Sequence, residues 1–301
     1  MTTPTIARTR AELGELLAAR RRAGEQVGLV PTMGALHEGH ASLMGVARER
    51  IGSGPLVVSI FVNPLQFGAG EDLDRYPRTL EADLLVCEKE GVDIVFAPAV
   101  EEVYPGGEPV IRIEPGPLGG ELEGRSRPGH FAGMLIVVAK LFGLVRPDVA
   151  VFGEKDYQQL ALIRQMAADL CLGVDVVGAP TVREPDGLAL SSRNRYLDDD
   201  QRLEATCLSR ALYAAQAEAA YGLEVALDAA RAEIRGAGDV DLDYLEIRRP
   251  DLTPLPAEVP PGTEARILIA ARVGTTRLID NMPLTLGPTA PAGTATPEGG
   301  S

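Results

Sequence analysis

The chain has 301 residues, 45% of them apolar and 24% charged, and its 43 acidic and 29 basic side chains give a net charge of −14. That much apolar material excludes disorder throughout, and three widely spaced cysteines (Cys87, Cys171 and Cys207) exclude a disulfide framework or a zinc knuckle. The negative balance argues against a general binder of nucleic acid or anionic membrane, since both need a cationic surface.

In chain order, Met1 to Arg10 lacks the apolar core of a signal peptide. Glu12–Ala23 is rich in Ala, Leu, Glu and Arg and predicts a helix. Gln26–Val30 predicts a short strand stopped by Pro31, and Gly39–Ile51 a second helix. Leu56–Val62 is a continuous run of β-branched and apolar residues, the pattern of a strand buried on both faces. Leu80–Glu90 predicts a helix ended by Gly91, and Val92–Phe96 the next strand. Phe131–Leu144 predicts a helix, Val149–Phe152 a strand, Asp156–Leu172 a helix closed by Gly173, and Val174–Val177 a strand. No apolar run reaches the ~20 residues of a membrane helix, so a soluble, cytoplasmic protein is expected.

This alternation predicts a Rossmann-like α/β fold, a parallel sheet with helices on both faces, over 1–181. The texture changes near Val182. Leu203–Ala232 is Ala-rich and broken by Gly222, and two strands follow at Val240–Ile247 and Ala265–Val273. A smaller α+β domain is expected over 182–287. The Pro, Gly, Thr and Ala of 288–301 predict a flexible tail.

Ligands of parallel α/β sheets bind beyond the carboxyl ends of the strands. Two of only three histidines lie there, in Pro31-Thr-Met-Gly-Ala-Leu-His37-Glu-Gly-His40, between a predicted strand and a predicted helix. At positions i and i+3 they would share a face at the helix N-terminus, where free N–H groups and the dipole favour anions. Gly34 would allow a tight turn and Gly39 a close approach to the backbone. Two imidazole donors at such a place could hold a triphosphate and stabilise charge developing in phosphoryl or nucleotidyl transfer. A metal site would need a third ligand, and none is evident.

Three further segments have matching chemistry. Lys155 can place a point charge on phosphate, Asp156 can cap a helix, and the Gln159 amide can read a hydroxyl or carboxylate. Leu190-Ser191-Ser192-Arg193-Asn194-Arg195 packs two hydroxyls and two guanidiniums into an anion clamp. Asn63 and Gln66 follow the buried strand directly. Tyr76, Arg78, Arg127 and His130 are further candidates, each ordinary surface if taken alone.

In this order the motifs PTMGALHEGH, SIFVNPLQF, HFAGM, FGEKDYQQL and SSRNRYL resemble those of the pantothenate synthetase (pantoate–β-alanine ligase) family, from about Thr5 to Pro283. The H-E-G-H stretch is similar to the H-x-G-H signature of the nucleotidylyltransferase superfamily. By itself that signature would also suit transfer of AMP onto a phosphate acceptor. The resemblance implies a two-step ligase that makes pantoyl adenylate from pantoate and ATP, then pantothenate from the adenylate and β-alanine. It implies ATP contacts along Met33, Gly34, Ala35, Leu36, His37, Glu38, Gly39 and His40. Further ATP contacts fall at Gly153, Glu154, Lys155 and Asp156, at Val182, and at Leu190, Ser191, Ser192 and Arg193. His40 would be the catalytic proton donor, with His37 and Lys155 beside it on the phosphates. Gln66 and Gln159 would bind pantoate, Gln66 would border β-alanine, and Asn63 and His130 would assist.

The family also implies Mg²⁺ with ATP, a homodimer, and closure of the smaller domain over the phosphates. Leu190 stands where relatives usually have Met. The stretch Glu81-Ala82-Asp83 stands where some relatives hold magnesium with paired acids, so the metal would be carried mainly by ATP.

Overall fold

The computed structural model describes residues 3–68, 73 and 76–287. The tail expected at 288–301 lies outside the described residues. The chain divides into two compact units. One holds the residues up to Val182 together with Leu190–Ser192. The other holds Arg183–Ala189 and the residues from Arg193 on.

The first unit runs β1 (Thr5–Ala7), α1 (Arg10–Arg22), β2 (Gly28–Thr32), α2 (Glu38–Ile51), β3 (Leu56–Ile60), α3 (Leu80–Lys89), β4 (Ile94–Phe96), α4 (Val100–Val103), α5 (Glu123–Ser126), α6 (His130–Val145), β5 (Val149–Gly153), α7 (Tyr157–Asp169) and β6 (Asp175–Ala179). Its described strands form a six-stranded sheet in the order β1-β4-β3-β2-β5-β6, and every pairing is parallel. Neighbouring strand residues point to opposite faces. Leu29 and Val30, Val57 and Val58, and Ala150 and Val151 are all buried, so both faces are covered as predicted. On one face Val30, Val58, Val95 and Val151 pack with Leu43, Met44 and Ala47 of α2 and Cys87 of α3.

Two predictions need correction. The strand does not stop at Pro31, since β2 continues through Pro31 to Thr32 in register with Ser59 and Ile60. Thr32 accepts a hydrogen bond from Phe61 on the β3 side, so Pro31 turns its missing N–H toward β5. The β2–β5 ladder ends at Leu29, and no donor is needed there. Conversely, the strand expected to reach Val62 ends at Ile60, ahead of Pro64. The short edge strand β1 was not predicted, because three residues carry no readable period.

In the second unit α8 (Asp199–Glu218) and α9 (Leu223–Arg235) are followed by β7 (Val240–Arg248), β8 (Thr263–Val273) and β9 (Thr276–Leu286). The strands form an antiparallel sheet in the order β7-β8-β9. Alanines 205, 211, 215, 226 and 230 of the two helices pack against Ile267, Ile269 and Ala271 of β8. Such small side chains allow close packing of helix on helix and helix on sheet. The third strand, β9, is an addition to the predicted pair. No described helix is long and apolar enough to cross a membrane.

Candidate active site

The strand order explains why distant motifs meet. From β2 the sheet grows one way through β3 and β4, and from β5 the other way to β6, so the reversal falls between β2 and β5. Segments leaving the carboxyl ends of such neighbours flank a crevice. The segment after β2 carries His37 and His40, and the segment after β5 carries Lys155.

His37 is not part of the helix, which corrects the expectation that both imidazoles ride on one helical face. It is the N-cap of α2, in extended conformation, and its Nδ1 accepts the Gly39 N–H at 3.1 Å. The His37 N–H in turn donates to Nδ1 of His40 at 3.3 Å. The two rings lie 4.1 Å apart. Both Nδ1 atoms act as acceptors, so each neutral ring carries its proton on Nε2. Gly39 owes its identity to this cap, because a Cβ there would stand 2.9 Å from Cε1 of His37. Burial pushes the His40 imidazole down to about 3, and His37 and Lys155 add to the shift while Asp156 opposes it. His40 is therefore a neutral imidazole at physiological pH, and it feels Lys155 and Asp156 directly.

Lys155 lies in a single 3-10 turn, Glu154–Asp156, between β5 and α7. Its Nζ is 3.8 Å from Asp156. Asp156 occupies the N-cap position of α7 but makes no side-chain cap bond. Gln159 sits on the first turn of α7, half-buried. Leu190 returns to the first unit through a hydrogen bond from its N–H to the Val182 carbonyl, 2.9 Å. A Cβ on Gly39 would meet the Leu190 side chain at 3.6 Å, which puts Leu190 beside the start of α2. Ser191 and Ser192 belong to the same unit, whereas Arg193 belongs to the other.

Gln66 is buried, and its Nε2 donates to the Met33 sulfur at 3.1 Å. Asn63, 1% exposed, is occupied within the protein. Its Nδ2 donates to Gln66 Oε1 and to the Gly133 carbonyl, each at 3.1 Å, while Oδ1 accepts from the Tyr104 hydroxyl at 2.8 Å. Asn63 therefore orients Gln66. Gly133 of α6 makes this possible, because a Cβ there would stand 1.9 Å from the Leu65 carbonyl oxygen. His130 Nδ1 lies 2.8 Å from the Gln66 carbonyl, and its Nε2 lies 3.1 Å from the Arg127 guanidinium. A carbonyl can only accept and a guanidinium can only donate, so His130 carries its proton on Nδ1 and braces the Gln66 backbone.

Sequence reading missed three supports. Asp83, 2% exposed, accepts the N–H groups of Ala35 and Leu36 at 3.2 and 2.8 Å. Gln158 donates to the carbonyls of Leu118 and Glu121 and accepts from the Glu123 N–H, pinning the segment ahead of Arg125. In the second unit Asn194 donates to Glu184 at 2.7 Å and to the Ala189 carbonyl at 3.1 Å, fixing the turn that carries Arg193. Of the three, the sequence draws attention only to Asp83, through the question of a metal ligand. Nothing local signals that it bonds to a loop 48 residues away.

Comparison with known proteins shows the family. A family model described as pantoate-beta-alanine ligase matches residues 5–283. The chain is 72% identical to the pantothenate synthetase of Nocardioides sp. over 298 residues, covering 98% of this chain and 89% of that one. It is 58% identical to the pantothenate synthetase of Mycolicibacterium smegmatis, over 93% and 87% of the two chains. Among solved structures, pantothenate synthetase from Thermus thermophilus superposes with a TM-score of 0.84 at 48% identity, over 92% and 98% of the two chains. Pantoate-beta-alanine ligase from Francisella tularensis, complexed with beta-gamma ATP and beta-alanine, gives 0.74 at 35% identity, over 93% and 97%.

Proposed function

The chain belongs to the pantoate–β-alanine ligase family, and from that premise we propose how its residues join the two substrates. The activity is the formation of pantothenate from pantoate and β-alanine, with ATP as co-substrate. In the first step a pantoate carboxylate oxygen bonds to the α-phosphorus of ATP. The bond to pyrophosphate breaks, giving pantoyl adenylate. In the second, the amine of β-alanine bonds to the acyl carbon, the bond to AMP breaks, and the nitrogen loses a proton.

The reading rests chiefly on the paired imidazoles capping α2 beside Lys155. ATP runs along Met33–His40, Gly153–Asp156, Val182 and Leu190–Ser192. Charge grows on the phosphate oxygens as the leaving pyrophosphate departs, and donors already aimed at it lower the barrier most. His40 supplies Nε2–H as a neutral donor. Burial keeps the ring neutral in the free protein, and its contribution in this reading is that of a fixed hydrogen-bond donor. Lys155 adds full positive charge. Gln66 and Gln159 hold pantoate through uncharged amides, which leave its carboxylate nucleophilic, and Asn63 and His130 fix Gln66.

Mg²⁺ accompanies ATP in this reading and would neutralise phosphate charge. The ion would ride mainly on phosphates and water, which Mg²⁺ prefers as ligands. The protein is proposed to be a homodimer, as the family resemblance implies. It is placed in the cytoplasm, in keeping with three unpaired thiols.

A pyrophosphate-release assay tests the route. Pantoate and ATP without β-alanine should release pyrophosphate, and AMP should appear only once β-alanine is added. Turnover with a phosphate-ester acceptor and none with pantoate would overturn it in favour of a different nucleotidyl transfer.

A further inference from the structure

We propose that Asp83 is a positioning residue for adenylation, setting His37 and His40 through the backbone of Ala35 and Leu36. The proposal rests on the ligase reading above and adds a residue outside the substrate-contacting set.

Gly34 and Ala35 both have positive φ, 83° and 51°. The left-handed region is unfavourable for a residue with a Cβ, so Ala35 needs an external hold. Packing gives little on one side, where a cavity of about 310 Å³ lies between Met33, Gly34, Phe61, Thr79 and Asp83. The hold is the Asp83 carboxylate. Oδ2 accepts from the Ala35 N–H at 3.2 Å and Oδ1 from the Leu36 N–H at 2.8 Å. The Thr79 hydroxyl lies 3.3 Å from both oxygens and steadies the fork. Gly34 is matched to it, since a Cβ there would come within 2.9 Å of Oδ2.

The next residue after Leu36 is His37, whose N–H and Nδ1 form the α2 cap with His40. A loosened fork is thus transmitted directly to both imidazoles. A carboxylate 2% exposed and already engaged by three donors leaves no room for the water shell that Mg²⁺ retains.

The test is pantoate-dependent ATP–pyrophosphate exchange in the wild type, Asp83→Asn, His40→Ala and the double variant. An amide keeps the volume but turns an N–H toward a backbone N–H. Asp83→Asn should lower kcat for exchange by about tenfold or more, with a smaller change in the KM for ATP. In the His40→Ala background the same change should cost no more than about twofold, because the residue acts through that imidazole. Thr79→Val, at an exposed position, should lower kcat by roughly two- to threefold and decides the matter if Asp83→Asn does not fold. Near-normal kcat in both variants, or losses that multiply in full in the double variant, would overturn the proposal. So would a shift in the Mg²⁺ midpoint in Asp83→Asn, which would make Asp83 a metal ligand. Absence of exchange in the wild type would instead strike the ligase reading itself.

Discussion

In the first unit the segment 33–40 is held by backbone N–H groups donated to side chains: Ala35 and Leu36 to Asp83, Gly39 to His37, and His37 to His40. In the second unit the Asn194 amide fixes the turn that carries Arg193, and side-chain ion pairs hold the segments around it. Arg183 makes a bidentate pair with Asp280 of β9, at 2.6 and 3.0 Å, and Arg202 bridges Glu184 and Asp186. The two solutions serve different ends. Bonds to successive backbone amides leave few torsions free and so fix the direction of the next side chain. Ion pairs between long side chains anchor segments far apart in sequence but tolerate rotation about many torsions. Damage to the first unit's loop should therefore cost rate more than stability, and damage to the second unit's anchors stability more than rate.

The sharpest test is His40→Ala. Removing a donor aimed at developing charge should cut turnover about 10²–10⁴-fold, with little change in the melting temperature. Near-normal turnover would refute the role given to His40. Arg183→Met should do the reverse. It leaves Asp280, 3% exposed, without the cation that balances its charge, and should destabilise the second unit by roughly 3 kcal/mol or more. Hydrogen exchange should then speed up in β8 and β9, with amides of β2 and β5 unaffected. Equal acceleration in both units would dissolve the contrast.

Gly133→Ala comes third. The new Cβ must displace the Leu65 carbonyl, and Asn63 and Gln66 move with it. The pantoate KM should rise on the order of tenfold, with a smaller effect on ATP. An unchanged pantoate KM would remove Gln66 from the substrate site.

The mildest test is acidification. Folded His40 titrates near 3, below the 6.5 of an unhindered imidazole, so the unfolded chain binds the extra proton first. Its contribution to stability is lost as pH falls from about 6.5 toward 3. Glu184 is held below the usual 4.5 mainly by the Arg202 hydrogen bond, with Asn194 helping. Its contribution stays intact until pH falls below that value. Exchange-detected stability of the first unit should decline earlier on acidification than that of the second. A common decline beginning near pH 4.5 would sink this ordering.

The resemblance of five motifs pointed to the chemistry because each packs its reactive groups into ten residues or fewer. Turn, cap and donor then share one stretch of chain, as in His37-Glu-Gly-His40. The supports were illegible for the opposite reason. Gly133 reads as an ordinary helical glycine until Leu65 is seen against it. Asn63 reads as a substrate ligand until Tyr104, Gln66 and the Gly133 carbonyl are found to occupy its amide. Pro31 reads as a strand stop until the β5 ladder is seen to end one pair too early to need its N–H.

By itself the sequence determined the alternation of strands and helices, the change of texture near Val182 and the local chemistry of each motif. These depend on period, composition and contacts within a turn or two. Only the tertiary structure decided that β5 lies beside β2, which brings Lys155 to His40, and that Asp83 reaches Ala35 and Leu36 from 48 residues away. Such contacts are chosen by which faces can be buried together, a property of the whole sheet and its covering helices that no local window of sequence contains.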